Sequence, residues 1–91
     1  MTPHERKQQE REDFAQRFNQ ALNAAGYANL KWRELADIFG VSIEGVRKWA
    51  LGQGLPTTAR INHISEILNI SPEWLQFGKS SVLSTMLFDE T

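Results

Sequence analysis

The stretch LADIFGVSIEGVRKWALGQGLP, residues 35–56, constrains the fold more than any other part of the chain. It contains two short amphipathic patterns that meet at Gly40, and glycine can adopt the positive φ that a sharp turn between helices needs. Ser42 follows as a helix N-cap, the position where serine is strongly preferred. The stretch therefore predicts two short helices, about residues 31–39 and 43–50, packed across a tight turn.

Capping residues and apolar residues at steps of three and four predict three further helices. Thr2 and Glu5 form a capping box for a first helix that ends at Gly26. On its exposed side, Asp13 and Arg17 are expected to pair across one helical turn. The remaining two helices are predicted from Thr57 or Thr58 to Asn69, and from Ser71 to Gly78.

The predicted fold class is all-α, a compact domain of five helices with a long N-terminal helix and a short C-terminal tail. Residues 1–13 form a charged N-terminal extension of the first helix that is expected to project into solvent or to fray. Residues 14–78 form the helical domain. The tail, residues 79–91, has a mixed apolar pattern that fits either a short strand or a helical turn.

Composition removes several classes of function. The chain has no cysteine, which excludes disulfides and thiolate chemistry and fits a reducing cytoplasm. His4 and His63 are isolated, so no metal site is expected. There is no serine–histidine–acid arrangement and no glycine-rich phosphate loop, so the prediction is a protein that is not an enzyme and binds no cofactor or small molecule. No apolar run reaches the roughly 18 residues of a membrane span.

The net charge of −1 hides an uneven distribution. Residues 14–60 hold six basic and three acidic side chains, whereas residues 61–91 hold one basic and four acidic side chains. A basic middle is compatible with a polyanionic partner, but an imbalance of this size is common and does not by itself indicate a function.

Two short helices joined by a glycine-containing turn of three or four residues are the helix-turn-helix signature. With this signature in LADIFGVSIEGVRKWALGQGLP and the closing INHISEILNISPEWL, the chain resembles the lambda-type phage repressor family, also called Cro/C1-type or XRE-like helix-turn-helix domains. The resemblance covers about residues 14–78. It implies a five-helix DNA-binding domain and a sequence-specific transcriptional regulator, favouring a phage or prophage repressor that binds a palindromic operator as a homodimer in the cytoplasm of a bacterial host, on the nucleoid.

The resemblance places the base-reading positions at the start of the third helix, on Ser42, Ile43, Glu44, Arg47 and Lys48. Lys48 or Arg47 can donate to guanine O6 and N7, and Ile43 can touch a thymine methyl group. Glu44 can accept from cytosine N4, and would then act mainly by rejecting wrong bases. The alternative for Glu44 is a solvated acid favoured by the helix dipole.

The same resemblance places phosphate contacts on Lys31, Trp32, Arg33 and Gln53. Lys31 and Trp32 depart from the family pattern, in which a small polar cap and a glutamine-like residue are common, and Asn29 is an alternative cap. Trp32 either contacts the DNA backbone or packs against the third helix.

The rival hypothesis is an antitoxin or protein-interaction module of the same fold. The charged outer face of the third helix favours DNA instead. A chain of 91 residues leaves no room for the self-cleaving domain of some relatives, so the expectation is a short Cro-like regulator or a truncated repressor. The last helix and the tail hold more apolar residues than a small core needs, and these are the dimerisation candidates: Trp74, Phe77, Val82, Leu83, Leu87 and Phe88. The alternatives are that the tail folds back on its own core or is disordered.

Overall fold

The computed structural model describes residues 2–79, and these residues form five helices. The helices are α1 (Pro3–Ala24), α2 (Trp32–Phe39), α3 (Ile43–Leu51), α4 (Thr58–Leu68) and α5 (Pro72–Phe77). No strand occurs within these described residues. The predicted all-α fold with five helices is confirmed, and the helix boundaries agree with the predicted ones to within one or two residues. The predicted strand or turn of the tail lies outside the described residues.

Hydroxyl side chains cap the start of four helices. Thr2, Ser42, Thr57 and Ser71 each accept a hydrogen bond from a backbone N–H of the first helical turn, at 3.0–3.2 Å. The Thr2 backbone also donates to the Glu5 carboxylate at 3.2 Å, which completes the predicted capping box. Hydrogen bonds from the Thr2 hydroxyl and backbone hold the pKa of Glu5 below its ordinary value. α1 therefore begins as a capped helix at Pro3.

The turn between α2 and α3 has the conformation that its sequence predicts. Gly40 lies in the left-handed region with φ 67°, where a residue without a Cβ is not strained. The Val41 N–H donates to the Ala36 carbonyl at 3.0 Å, which closes a Schellman motif. Val41 is half-buried against the core, so it fills the angle between the two helices.

The core is built around the aromatic ring of Phe18 in α1. Its centroid lies 5.7 Å from Phe14, 5.8 Å from Phe39 of α2 and 6.2 Å from Trp49 of α3, the last in an edge-to-face arrangement. Such aromatic pairs add stability beyond the area they bury. The largest fully buried side chains are Phe14, Phe18, Phe39, Val46, Ile61, Ile64 and Leu75.

Two polar side chains of α1 connect it to the ends of other helices. Arg17 donates from Nε to the Leu75 carbonyl at 2.9 Å and from Nη2 to the Gln76 carbonyl at 3.0 Å. Asn19 donates from Nδ2 to the Ala50 carbonyl at 2.9 Å. The last carbonyls of a helix have no partner within it, so these donors satisfy groups that would otherwise be unpaired.

The predicted Asp13–Arg17 ion pair is therefore wrong. The Arg17 guanidinium turns toward the end of α5, where two backbone carbonyls accept from it. Asp13 instead accepts from the Gln9 amide at 2.9 Å. Two fixed, partly buried acceptors hold the guanidinium better than one carboxylate on the solvent side, where an exposed pair contributes little.

Replacing Ser65 in α4 by alanine should stabilise the protein. The Ser65 hydroxyl is buried and has no hydrogen-bond partner among the described residues. Removing an unpaired buried hydroxyl from a helix interior should raise the free energy of unfolding by about 1 kcal/mol, measured by urea and thermal denaturation. Asn62→Ala, an exposed change on the same helix, is the control. A less stable Ser65→Ala protein would show that the hydroxyl has a partner.

Candidate nucleic-acid interface

The first turns of α3 bring the five predicted base-reading residues together at the protein surface. Val46, Trp49 and Ala50 are buried and fix one side of α3 against the core. The side chains at the start of the helix then face away from the core. Ser42, Ile43, Glu44 and Lys48 are exposed and Arg47 is half-buried.

Glu44 and Arg47 form an ion pair on this surface. Arg47 Nη2 lies 3.1 Å from Glu44 Oε2, and Arg47 Nε donates to Oε1 at 3.3 Å. The hydrogen bond and charge of Arg47, with a smaller contribution from the charge of Lys48, hold the pKa of Glu44 below its ordinary value. Arg47 is thus engaged in the free protein, while Lys48 has no acidic partner among residues 2–79. The sequence interpretation missed this pair, although the i,i+3 spacing indicates it.

Ser42 has a structural role in addition to its predicted one. Its hydroxyl oxygen accepts from the Gly45 N–H at 3.0 Å and so caps α3. A Cβ at Gly45 would lie 3.1 Å from that oxygen, which explains why a residue without a side chain suits this position. The Ser42 hydroxyl keeps its own proton as a donor, so capping and contact with a DNA base are compatible.

The start of α2 differs from the start of the other helices. Its N-cap is Lys31, whose side chain contains no acceptor and makes no capping hydrogen bond. The Lys31 N–H donates to the Glu34 carboxylate at 2.8 Å, which is half of a capping box. The alternative cap at Asn29 is wrong, because α2 begins at Trp32. The first N–H groups of α2 therefore have no side-chain acceptor, and a helix start of this kind attracts anions.

Trp32 lies at the surface beside the start of α3. About a third of its area is exposed (37%), and it lines a shallow cleft with Lys31, Arg33, Glu34 and Ile43. The structure thus places three predicted phosphate contacts, Lys31, Trp32 and Arg33, next to Ile43 on the predicted base-reading face. Trp32 is near Ile43 of α3 and also presents part of its ring to solvent.

The loop after α3 is in van der Waals contact with both α1 and α3. A Cβ at Gly52 would lie 3.5 Å from the Glu12 Cα, and a Cβ at Gly54 would lie 3.8 Å from the Lys48 Cβ. The Gln53 N–H donates to the Lys48 carbonyl at 2.9 Å, while its side chain is exposed. The sequence interpretation missed this contact with α1; Gly52 itself is favoured by its positive φ of 75° at the end of α3.

The helix-turn-helix family model matches residues 28–75, more than half of the 91-residue chain. The matched segment includes α2, the turn at Gly40, α3 and α4. Comparison with curated proteins and with solved structures gives no match. Among the helices of residues 2–79, none is both long enough and apolar enough to cross a membrane.

The ion pair between Glu44 and Arg47 predicts a lowered pKa of the Glu44 carboxyl that can be measured. Because the pKa of Glu44 is lowered in the folded state, the pair stabilises the fold above the ordinary glutamate pKa. This contribution disappears as the pH falls through the lowered value. Carboxyl NMR titration should show a low pKa for Glu44, and Arg47→Gln should return it toward the ordinary range. Arg60→Gln, on α4, is the control. An unchanged Glu44 titration in Arg47→Gln would contradict the pairing.

Proposed function

We propose that this chain, which belongs to the helix-turn-helix family of DNA-binding transcription regulators of the Cro/C1 type, is a phage or prophage repressor that binds a palindromic operator as a homodimer. The observation that carries the proposal is the exposed start of α3, which presents polar and charged side chains beside the uncapped start of α2. A protein-binding adaptor of this fold would instead be expected to present apolar residues at that position.

Base recognition is assigned to α3. Lys48 is exposed and not paired with an acid of the described chain, so it is the side chain most ready to donate to guanine O6 and N7. Glu44 and Arg47 would act as a unit in which the carboxylate accepts from cytosine N4 and Arg47 donates to a neighbouring acceptor. The cost of desolvating the carboxylate next to any other base makes the pair a determinant of specificity.

Contacts to the phosphates are assigned to the start of α2 and to the loop after α3. The N–H groups at the start of α2 lack a side-chain acceptor, and Lys31 and Arg33 add two exposed cations there. Trp32, which is partly exposed, and Gln53, which is exposed, are assigned as further donors through the indole N–H and the side-chain amide. Phosphate contacts of this kind fix the position of a protein on the duplex without reading its sequence.

The proposed dimer places two copies of α3 in successive major grooves, about 34 Å apart. Occupancy of such a site would block polymerase at an overlapping promoter on the bacterial nucleoid. Of the predicted dimerisation residues, Phe77 is largely exposed (62%) and Trp74 is half-buried against the core. The remaining candidates, Val82, Leu83, Leu87 and Phe88, lie outside the described residues.

Leu55 extends the apolar surface next to Phe77. It is about half exposed (46%), and the two side chains line one groove with both apolar and polar walls. The other apolar lining residues are Phe14, Pro56 and Ile61, and the polar ones are Glu10, Asp13, Arg17 and Gln76. Adjacent exposed apolar side chains of this size commonly mark a protein contact. This groove supports the assignment of the dimer contact to the region around the end of α5.

Selection of bound sequences from a random DNA pool tests the proposal directly. We expect a palindromic consensus whose half-sites are spaced by one helical turn or a multiple of it. Binding to that consensus should weaken steeply with salt. Failure to enrich any sequence would favour the alternative function, an antitoxin or protein-interaction module of the same fold.

Two single substitutions should separate base reading from phosphate binding. Lys48→Ala should cost roughly 1–3 kcal/mol on the consensus and relax specificity at one position of each half-site. Arg33→Ala should weaken binding to all sequences alike. Both effects can be measured by repeating the selection and titrating the consensus and a scrambled DNA. Unchanged binding of Lys48→Ala to every sequence would contradict the assigned recognition face.

Removal of residues 80–91 tests the assignment of the tail to the dimer contact. The tail holds four of the six apolar candidates, so the shortened protein should have the mass of a monomer by light scattering at concentrations where the full chain is a dimer. Leu51→Ser, a change at an exposed residue of α3, is the control for removal of apolar surface elsewhere. A shortened protein that remains dimeric would contradict the role of the tail.

A further inference from the structure

The side of α1 that faces the core continues beyond the core as a row of basic residues. Phe14 and Phe18 are fully buried. Toward the N-terminus, the positions in the same helical phase are Arg11, Lys7 and His4, at steps of three and four residues. We call these three residues the basic stripe. The chemistry of this side of α1 changes from apolar to polar where the core ends, with two cations, Lys7 and Arg11.

The basic stripe lies on a well-formed part of α1. The capping box of Thr2 and Glu5 closes the first turn. Side-chain hydrogen bonds also link successive turns of the exposed segment, from Gln8 to Glu12 at 3.1 Å and from Gln9 to Asp13 at 2.9 Å. The helix rises about 1.5 Å per residue, so the stripe projects by roughly 10 Å from Arg11 to His4. Its side chains therefore have a defined direction relative to the domain.

The stripe begins next to the loop that follows the recognition helix. A Cβ at Gly52 would lie 3.5 Å from the Glu12 Cα and 3.7 Å from the Arg11 carbonyl oxygen. Two residues further, a Cβ at Gly54 would lie 3.8 Å from the Lys48 Cβ. A short path through packed residues therefore connects Lys48, the loop and the first residue of the stripe.

The cations of the stripe are not neutralised by the described part of the chain. Neither Lys7 nor Arg11 forms a salt bridge within residues 2–79, and the Arg11 side chain makes a single hydrogen bond, to Gln8 at 3.4 Å. Glu5, Glu12 and Asp13 are in other phases of the helix, whereas Glu10 borders the stripe three residues after Lys7 and forms no salt bridge with it. Residues 1–13 hold four acidic and three basic side chains, so their net charge does not reveal the two cations on one side of α1.

We propose that the basic stripe contacts the DNA phosphate backbone that flanks the half-site bound by α3. This inference rests on the proposed function and extends its binding surface. Lys7 and Arg11 lie on the core-facing side of α1 but beyond the edge of the core. A polyanion that passes the loop after α3 would meet them there. A second protein with an acidic surface is the competing partner. The stripe begins close to the loop that packs on Lys48, and this favours DNA, the molecule that Lys48 is proposed to bind.

Salt titration of a variant that lacks the two positive charges of the stripe tests the proposal. The full-length protein with Lys7→Gln and Arg11→Gln should bind the selected consensus DNA with a smaller salt dependence. The slope of log K against log salt should fall by about 0.9 for each phosphate that the variant no longer neutralises. Affinity at 0.1 M salt should fall on the order of tenfold, because fewer counterions are released on binding. Arg6→Gln removes one positive charge from another side of α1, against two in the double variant, and should lower the slope by much less than half as much.

A charge-preserving variant separates binding from structure. The double change Lys7→Arg and Arg11→Lys should keep the wild-type slope, and circular dichroism should show equal helicity in all variants. If the double variant lowers the slope no more per charge removed than Arg6→Gln does, or if the charge-preserving variant also binds more weakly, the proposal is overturned. If the unmodified protein binds no DNA, the proposed function itself fails, and the two failures are thus distinguished.

Discussion

The packing of Phe18 of α1 against α2 and α3 is the interaction on which the rest of the structure depends. Its buried ring contacts Phe39 of α2 and Trp49 of α3. These two helices have only eight and nine residues, and isolated helices of that length are not stable in water. They owe their stability to tertiary packing, and the ring of Phe18 is the part of that packing that contacts both of them. The orientation of the exposed face of α3 therefore depends on a side chain that lies outside the helix-turn-helix itself.

Much of the fold could be predicted from the sequence because its helix boundaries are local features. Hydroxyl caps such as Ser42 and left-handed residues such as Gly40 act within one turn of their own position, so the chain shows where its helices begin and end. The exposed start of α3 followed in the same way, because the spacing of Val46 and Trp49 fixes which side is buried. Whether that exposed face reads DNA depends on a partner molecule, and it remains a prediction.

The features that sequence reasoning missed depend on residues far apart in the chain or on competition between partners. Arg17 was expected to pair with Asp13 four residues away, but it donates to carbonyls 58 and 59 residues away. These carbonyls lie within reach of Arg17 because of where α5 ends in space, and no local sequence pattern encodes that position. The close approach of Gly52 to α1 is of the same kind. The Glu44–Arg47 pair is local, and was missed because both residues were considered only as readers of bases.

The hydrogen bonds from α1 to the ends of two other helices have a consequence for the geometry of a dimer. Asn19 is bonded to the last turn of α3, and Arg17, two residues earlier, is bonded to the last turn of α5. One segment of α1 thus links the end of α3 to the end of α5, where the proposed dimer contact begins. In a two-fold dimer joined near α5, this segment would determine the distance between the two copies of α3. Changes near Arg17 would alter which half-site spacing is tolerated and leave the preferred bases within each half-site the same.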